Sequence, residues 1–324
     1  MRQPSRRECI AGIAALAVLA VAALRRGDQS TVELVSGSPS PDSGNFKFIY
    51  GDSVRHEQFF PFLVNVFRLF PEAQLDRLIA EAAADEASDE AIYLAVAGRL
   101  DTIKPLLGDL TYSLPSLEKQ KRIMTQQTVD LLGEDRRFSG YLELGTTGRY
   151  VSALDDRIEI DGPVFMCHEK PPTFGPQDII DRGRLRKRGD FISLAGYQAD
   201  FLKQIGRAQL EFVTIFIGFH HCPLELRESF ITSIRDAMKP GASLILRDHD
   251  APDERMRRVV ALAHDVFNLG TRESWDYNRA ELRNFYGLDT LHAMLTRFGF
   301  SGGERRLYQS GDPTRNALML YRRR

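Results

Sequence analysis

The chain has 324 residues, of which 43% are hydrophobic and 27% charged, the balance of an ordinary globular protein with one large domain or two modest ones. A formal net charge of −1 argues against a nucleic-acid partner, which would call for a strongly basic surface. Three cysteines, Cys9, Cys167 and Cys222, exclude a disulfide framework, and no CxxC pair or zinc-ligand spacing is present.

Residues 1–27 stand apart. Arg6 and Arg7 precede an apolar run from Cys9 to Leu24, and Arg25-Arg26 closes it. The run is shorter than the ~20 residues of a comfortable spanning helix. Its length and basic start suit a signal peptide, with the paired arginines resembling a twin-arginine export signal and Ala20-Val21-Ala22 offering a cleavage site. An uncleaved anchor, which would tie the chain to a membrane, is the rival reading. A buried soluble helix comes third, because nothing on the run is polar enough to face water. Residues 28–45 are rich in Ser, Pro, Gly and Asp and read as a linker.

Residues 46–135 carry helical periodicity. Phe59, Phe60, Phe62, Leu63, Val66, Phe67, Leu69 and Phe70 predict one strongly apolar helix whose rings belong to the core. Pro71 can start the next helix at Glu72, and Ser88 can cap another through Leu100. Leu117–Leu132 is a further helix. The region serves either as a cap over an active site or as a packing layer against one side of a sheet.

From residue 136 the pattern changes. Tyr141, Leu142 and Leu144 form a short buried strand that runs through Glu143 into the turn Gly145-Thr146-Thr147-Gly148, followed by residues that can open a helix. Further strands are expected at Pro163–Cys167, Phe191–Leu194, Phe212–Gly218, Ser243–Arg247, Gly303–Gln309 and Ala317–Tyr321. Helices are expected at Pro223–Met238, Pro252–Phe267 and Asp289–Phe298. Strand–helix alternation implies a parallel sheet with right-handed crossovers. Ligands in such a sheet bind beyond the carboxyl ends of the strands. The polar residues gather there: His168 and Glu169, then Tyr197, then His220-His221-Cys222, then Asp248-His249-Asp250.

Three stretches together resemble the class I S-adenosylmethionine-dependent methyltransferases: ELGTTGR at the first strand, IGFHHCP at Ile217–Pro223, and KPGASLILRD at Lys239–Asp248. The resemblance covers Tyr141 to Tyr321. It implies a Rossmann-like, seven-stranded, mostly parallel α/β sheet, here preceded by a helical region. It also implies S-adenosylmethionine as cofactor and a small molecule as methyl acceptor. Carried onto this sequence, it assigns Glu143, Gly145, Thr146, Gly148, Glu169, Gly218 and His220 to the cofactor. The turn is one residue short of the family's three-glycine pattern, or has Thr147 in place of the middle glycine.

His249, flanked by two carboxylates that would raise its pKa, is a candidate general base, with His221 the second catalytic candidate. Asp248 and Asp250 could instead cap a helix beginning near Pro252. A metal held by His220 and His221 is not expected, because adjacent residues in an extended segment point to opposite sides. The run Arg182–Arg188 reads as solvated surface. Two other classes remain open: a non-catalytic ligand-binding protein on the same fold, and a dinucleotide-dependent oxidoreductase, which lacks its GxGxxG here.

Overall fold

The computed structural model describes residues 44–104, 114–216 and 218–324. Residues 1–27 and nearly all of the expected linker lie outside these. Among the described residues no helix is long and apolar enough to cross a membrane.

Five helices precede the sheet: α1 (Asn45–Tyr50), α2 (Ser53–Phe62), α3 (Glu72–Asp85), α4 (Asp89–Ile103) and α5 (Leu114–Leu132). Their starts follow from local chemistry. Asp52 accepts the Arg55 N–H at the head of α2, and Ser88 accepts that of Ala91 at the head of α4. The single helix expected over Phe59–Phe70 is interrupted. Pro61 lies inside α2, where it has no N–H to give, and a wide π turn follows at Leu63–Phe67 before Arg68 turns left-handed at φ 43°. The break lets Phe59, Phe62, Phe67 and Phe70 all be buried. They pack with Leu75, Ile79 and Val96 against one side of α10 (Glu254–Gly270).

The sheet has seven strands: β1 (Arg137–Leu144), β2 (Glu159–His168), β3 (Asp190–Ser193), β4 (Leu210–Ile215), β5 (Met238–His249), β6 (Phe300–Tyr308) and β7 (Asn316–Arg323). Their spatial order is β3-β2-β1-β4-β5-β7-β6. The first five are parallel to one another, and β7 runs antiparallel to both β5 and β6. This is the Rossmann-like, seven-stranded, mostly parallel sheet that the sequence implied, with β6 and β7 as a C-terminal hairpin. Order reverses between β1 and β4, which opens a crevice above their carboxyl ends.

Side-chain alternation divides the sheet into two packed faces. Leu142, Leu144, Val213, Ile215, Leu244 and Leu246 meet α9 (Arg227–Ala237) and α12 (Leu288–Arg297) on one side. Tyr141, Phe212, Ile245 and Leu318 meet α5 and α6 (Val151–Asp155) on the other. Burial on both faces explains why these strands read as nearly continuous apolar runs. The remaining crossover helices are α7 (Pro176–Arg182), α8 (Phe201–Ile205) and α11 (Trp275–Ala280).

Two expectations change at the strand ends. β4 stops at Ile215, and Phe219–His221 forms a 3-10 turn rather than extended chain, so α9 starts only at Arg227. Asp248 and Asp250 do not cap the helix after β5; Asp253 does, accepting the Met256 N–H. The basic run is mostly at the surface, but Arg182 is buried and donates to the carbonyls of Thr173 and Leu185.

Candidate active site

The glycine turn after β1 is built by its own acid. Gly145 and Gly148 take φ of 101° and 104°, conformations that side chains with a Cβ avoid. The Gly145 N–H is bound to the Cys167 carbonyl of β2. Glu143 is completely buried beneath the turn. It accepts the Thr146 hydroxyl, the Tyr150 N–H at 3.2 Å and the Tyr141 hydroxyl at 3.2 Å. The Thr146 oxygen in turn accepts the N–H groups of Gly148 and Arg149. Glu143 therefore orders the turn and heads α6 rather than facing a ligand, and Thr146 has the same inward role. Burial raises the Glu143 carboxyl from its ordinary range, while these hydrogen bonds oppose the shift. Arg149, unremarked in the sequence, is buried directly behind the turn, with its Nε 2.6 Å from Asp181 of α7.

Glu169 lies just past β2, half-buried, and accepts the Gly196 N–H of the loop after β3 at 2.9 Å. The ends of β1, β2 and β3 thus converge as the topology requires, and a carboxylate stands on the crevice side. Tyr150 then connects the turn to β4, its ring 4.6 Å from that of Phe216.

Across β4 lies a pocket with about 830 Å³ of empty space, part of it open to solvent. Its floor is Gly218, His220, His221, Arg247, Asp248 and His249, from the ends of β4 and β5. Phe62, Asn65 and Val66 from the α2 end, Lys119 and Ile123 from α5, and His264 and Phe267 from α10 form its walls. The hairpin contributes Thr314 and Asn316. The N-terminal helices therefore act both ways. Their phenylalanines pack on α10 while the edge of the same layer lines the pocket.

Four histidines crowd together here. The His220 ring centroid is 4.1 Å from that of His221, 5.4 Å from His249 and 5.2 Å from His264. The 3-10 turn is the reason that His220 and His221 lie side by side, contrary to the extended-chain expectation. Asp248 pairs with His220, not with His249. Its carboxylate accepts the His220 Nδ1–H at 2.5 Å, the His220 backbone N–H at 3.2 Å, the His249 backbone N–H at 2.8 Å and the Tyr286 hydroxyl at 2.6 Å. Asp250 is turned away, bound by Tyr308 and Arg315 of the hairpin and by the Leu288 N–H at the head of α12. The His249 ring instead gives its Nδ1–H to the Thr314 carbonyl at 3.1 Å. His221 gives its own to the Leu282 carbonyl at 2.8 Å.

The expected upward shift of His249 is reversed. Burial first, then the neighbouring His220, lowers its pKa to about 3, and Asp248 only partly opposes this. Burial likewise brings His220 and His264 down to about 3 and lowers His221. The cluster is neutral near pH 7. For Asp248 burial acts upward, but His220 outweighs it and holds the carboxyl well below the usual range.

His264 carries little signal in the sequence beyond apolar neighbours at Val260 and Phe267, one helical turn to either side. Glu281 has even less, yet its carboxylate lies 3.4 Å from His264 Nδ1 and is held by Arg283 and Asn268 in a buried network with Asp265 and Asn278. Gly218 proves to be a spacing residue. A Cβ there would stand 1.9 Å from the His220 ring.

No protein-family model matches the chain, and no curated protein matches it. Solved structures do. A 1,6-didemethyltoxoflavin-N1-methyltransferase of Burkholderia thailandensis, with 1,6-didemethyltoxoflavin and S-adenosylhomocysteine bound, is 12% identical, with 71% of this chain and 88% of that chain covered at a TM-score of 0.41. The N-methyltransferase NodS of Bradyrhizobium japonicum, in complex with S-adenosylhomocysteine, is 15% identical over 64% of this chain and 87% of that one, at 0.38. The S-adenosylmethionine-dependent methyltransferase SibL in its apo form is 16% identical over 78% and 74%, at 0.44. Likenesses this distant carry no residue assignments.

Proposed function

We infer that this chain transfers a methyl group from S-adenosylmethionine to a small-molecule acceptor bearing an anionic group. The observation that carries the reading is the arrangement along one sheet edge. A glycine turn and Glu169 stand at the ends of β1 and β2, and a pocket lies one strand over, at the ends of β4 and β5. When bound, the cofactor supplies an electrophilic methyl group on a sulfonium. The chain's own part is to orient donor and acceptor, exclude water and accept a proton. Glu169 would hold the ribose hydroxyls. Neutral imidazoles of the cluster, His221 or His249, would take the acceptor's proton. Arg247 argues for an anionic acceptor. It lines the pocket, is 8% exposed, and makes no hydrogen bond or ion pair among the described residues; Asp312 and Asp248 act on it only at longer range, so an anion in the pocket would be its direct partner.

One observation favours a second reading, a ligand-binding protein on the same fold without methyl transfer. The amides at the head of α6, which such a turn could offer to a cofactor, are occupied by Glu143 and Thr146. Calorimetry of the full chain with S-adenosylmethionine, S-adenosylhomocysteine and NAD(P) in parallel decides between them. Methyl transfer requires binding of the first two, weakened by about 1.5–3 kcal/mol in Glu169→Ala. No heat with either, or a Glu169→Ala chain that binds as the wild type does, would refute the cofactor assignment.

A further inference from the structure

Of the chain's seven histidines, four meet at one wall of the pocket, and three of these converge on a common point. His220 comes from the turn after β4, His249 from the last residue of β5 and His264 from the middle of α10. One ring nitrogen of each lies within 4.8 Å of the other two. The hydrogen bonds settle which nitrogen is available. His220 gives its Nδ1–H to Asp248, and His249 gives its own to the Thr314 carbonyl. His264 Nδ1 faces Glu281 at 3.4 Å. Each ring therefore turns its Nε2 away from these acceptors, and His249 Nε2 meets only the Asn316 side-chain amide, at 3.4 Å, which a bound ion would displace. His220 Nε2 is buried and has no hydrogen-bond partner. A lone pair in that condition costs on the order of 1–3 kcal/mol unless something occupies it.

We propose that His220, His249 and His264 bind one divalent late first-row metal ion, zinc foremost, through Nε2, with a coordination position open to the pocket. Three neutral imidazoles suit such an ion and do not suit magnesium or calcium, which take oxygen. Carboxylate or carbonyl acceptors on the far nitrogen are the arrangement that fixes metal-binding histidines in orientation and tautomer. Tetrahedral zinc with bonds of about 2.0–2.1 Å holds its nitrogens about 3.3 Å apart, so the rings must draw together to close on it. Charge is accommodated from two sides. Asp248 stands behind His220 and Glu281 behind His264, while Arg247 faces the same pocket and calls for an anionic ligand. The fourth donor is thus an oxygen anion, hydroxide or a carboxylate of the pocket's occupant. His221, whose Nε2 is also buried without a partner, remains as the free imidazole.

A second trio, His221, His264 and Glu281, shares one member with the first. Its Glu281 takes Arg283 and Asn268 on Oε2, both at 2.8 Å, and turns Oε1 to the Nδ1 sides of His264 at 3.4 Å and His221 at 3.8 Å, behind the rings rather than at their Nε2, where it orients them.

The site does not depend on the methyl-transfer reading, and its test omits the methyl donor. The full chain, free of any histidine tag, is stripped with chelator, desalted and titrated with zinc or cobalt(II) chloride. Expected are one equivalent of zinc retained after desalting and the visible bands of four-coordinate cobalt. His249→Gln and His264→Gln should each weaken binding about 100-fold or more, and Asp248→Asn about 10–100-fold, with His221→Gln near wild type. X-ray absorption of the zinc-loaded wild type should find three imidazoles, which guards against a variant that merely misfolds. Retention of less than a tenth of an equivalent would overturn the proposal. So would wild-type affinity in His249→Gln, loss of binding in His221→Gln with His249→Gln unaffected, or a coordination shell with fewer than two imidazoles.

Discussion

Asp248→Asn tests the description of the pocket floor. The carboxylate accepts four hydrogen bonds, two on each oxygen: the His220 ring and His249 N–H on Oδ1, the Tyr286 hydroxyl and His220 N–H on Oδ2. An amide keeps only one oxygen. Placed at Oδ1 it still serves the His220 ring and the His249 N–H, though without a charge to strengthen those bonds, which costs about 1 kcal/mol in all. Its NH2 then occupies the Oδ2 position. Tyr286 can rotate its hydroxyl and accept, but the His220 backbone N–H meets a donor and is left unsatisfied at about 1–3 kcal/mol. The sum is about 3 kcal/mol, or roughly 6–12 °C in melting temperature at the 2–4 °C per kcal/mol of a large domain. Thermal and urea denaturation of chelator-treated protein measures it, so that no bound ion contributes. Tyr286→Phe is the control: it removes one donor and leaves the carboxylate three, and should cost about 1–1.5 kcal/mol. An Asp248→Asn protein within ~0.5 kcal/mol of wild type, or one no worse than Tyr286→Phe, would refute the idea that this carboxylate organises the floor.

Two further outcomes follow from the same geometry. Gly218→Ala puts a Cβ 1.9 Å from a His220 ring that Asp248 holds in place. It should lower stability by about 2–3 kcal/mol, read from the denaturant midpoint, and a neutral result would mean that the ring is free to move aside. Asp89 caps α1 from the head of α4, accepting the Asn45 N–H at 2.7 Å, and burial, then the charge of Asp265, raises its pKa to about 6. A carboxyl raised above its unfolded value of ~3.9 takes up a proton on folding. Its ionisation therefore burdens the folded state above pH 6, and that burden is gone below about pH 4. Comparing Asp89→Asn with wild type at both ends of this window, the stability difference should shift toward the variant by about 1–3 kcal/mol as pH rises, and a pH-independent difference would contradict the shift.

The sequence by itself determined the sheet. Buried strands such as Leu244–Leu246 are apolar on both faces, and their alternation with amphipathic helices made a mostly parallel sheet legible, while the C-terminal hairpin came with the family resemblance and the strand order only with the structure. It also brought the right residue types to the right edge, because an open parallel sheet gathers whatever follows its strands. Partnership was not legible. That Asp248 serves His220 instead of His249, that Glu143 turns inward, and that His264 joins the cluster from α10 are contacts between residues 28, 7 and 44 positions apart, and chain spacing carries no information about them. Local reading also failed where one residue alters the backbone over several. Pro61 widened an expected helix into a π turn, and the end of β4 folded into a 3-10 turn. The second of these decided the site, since it put two adjacent imidazoles on one side of the chain. Only tertiary packing then made them neutral, because the water that would solvate their charge is displaced by Phe285, Tyr286 and α10.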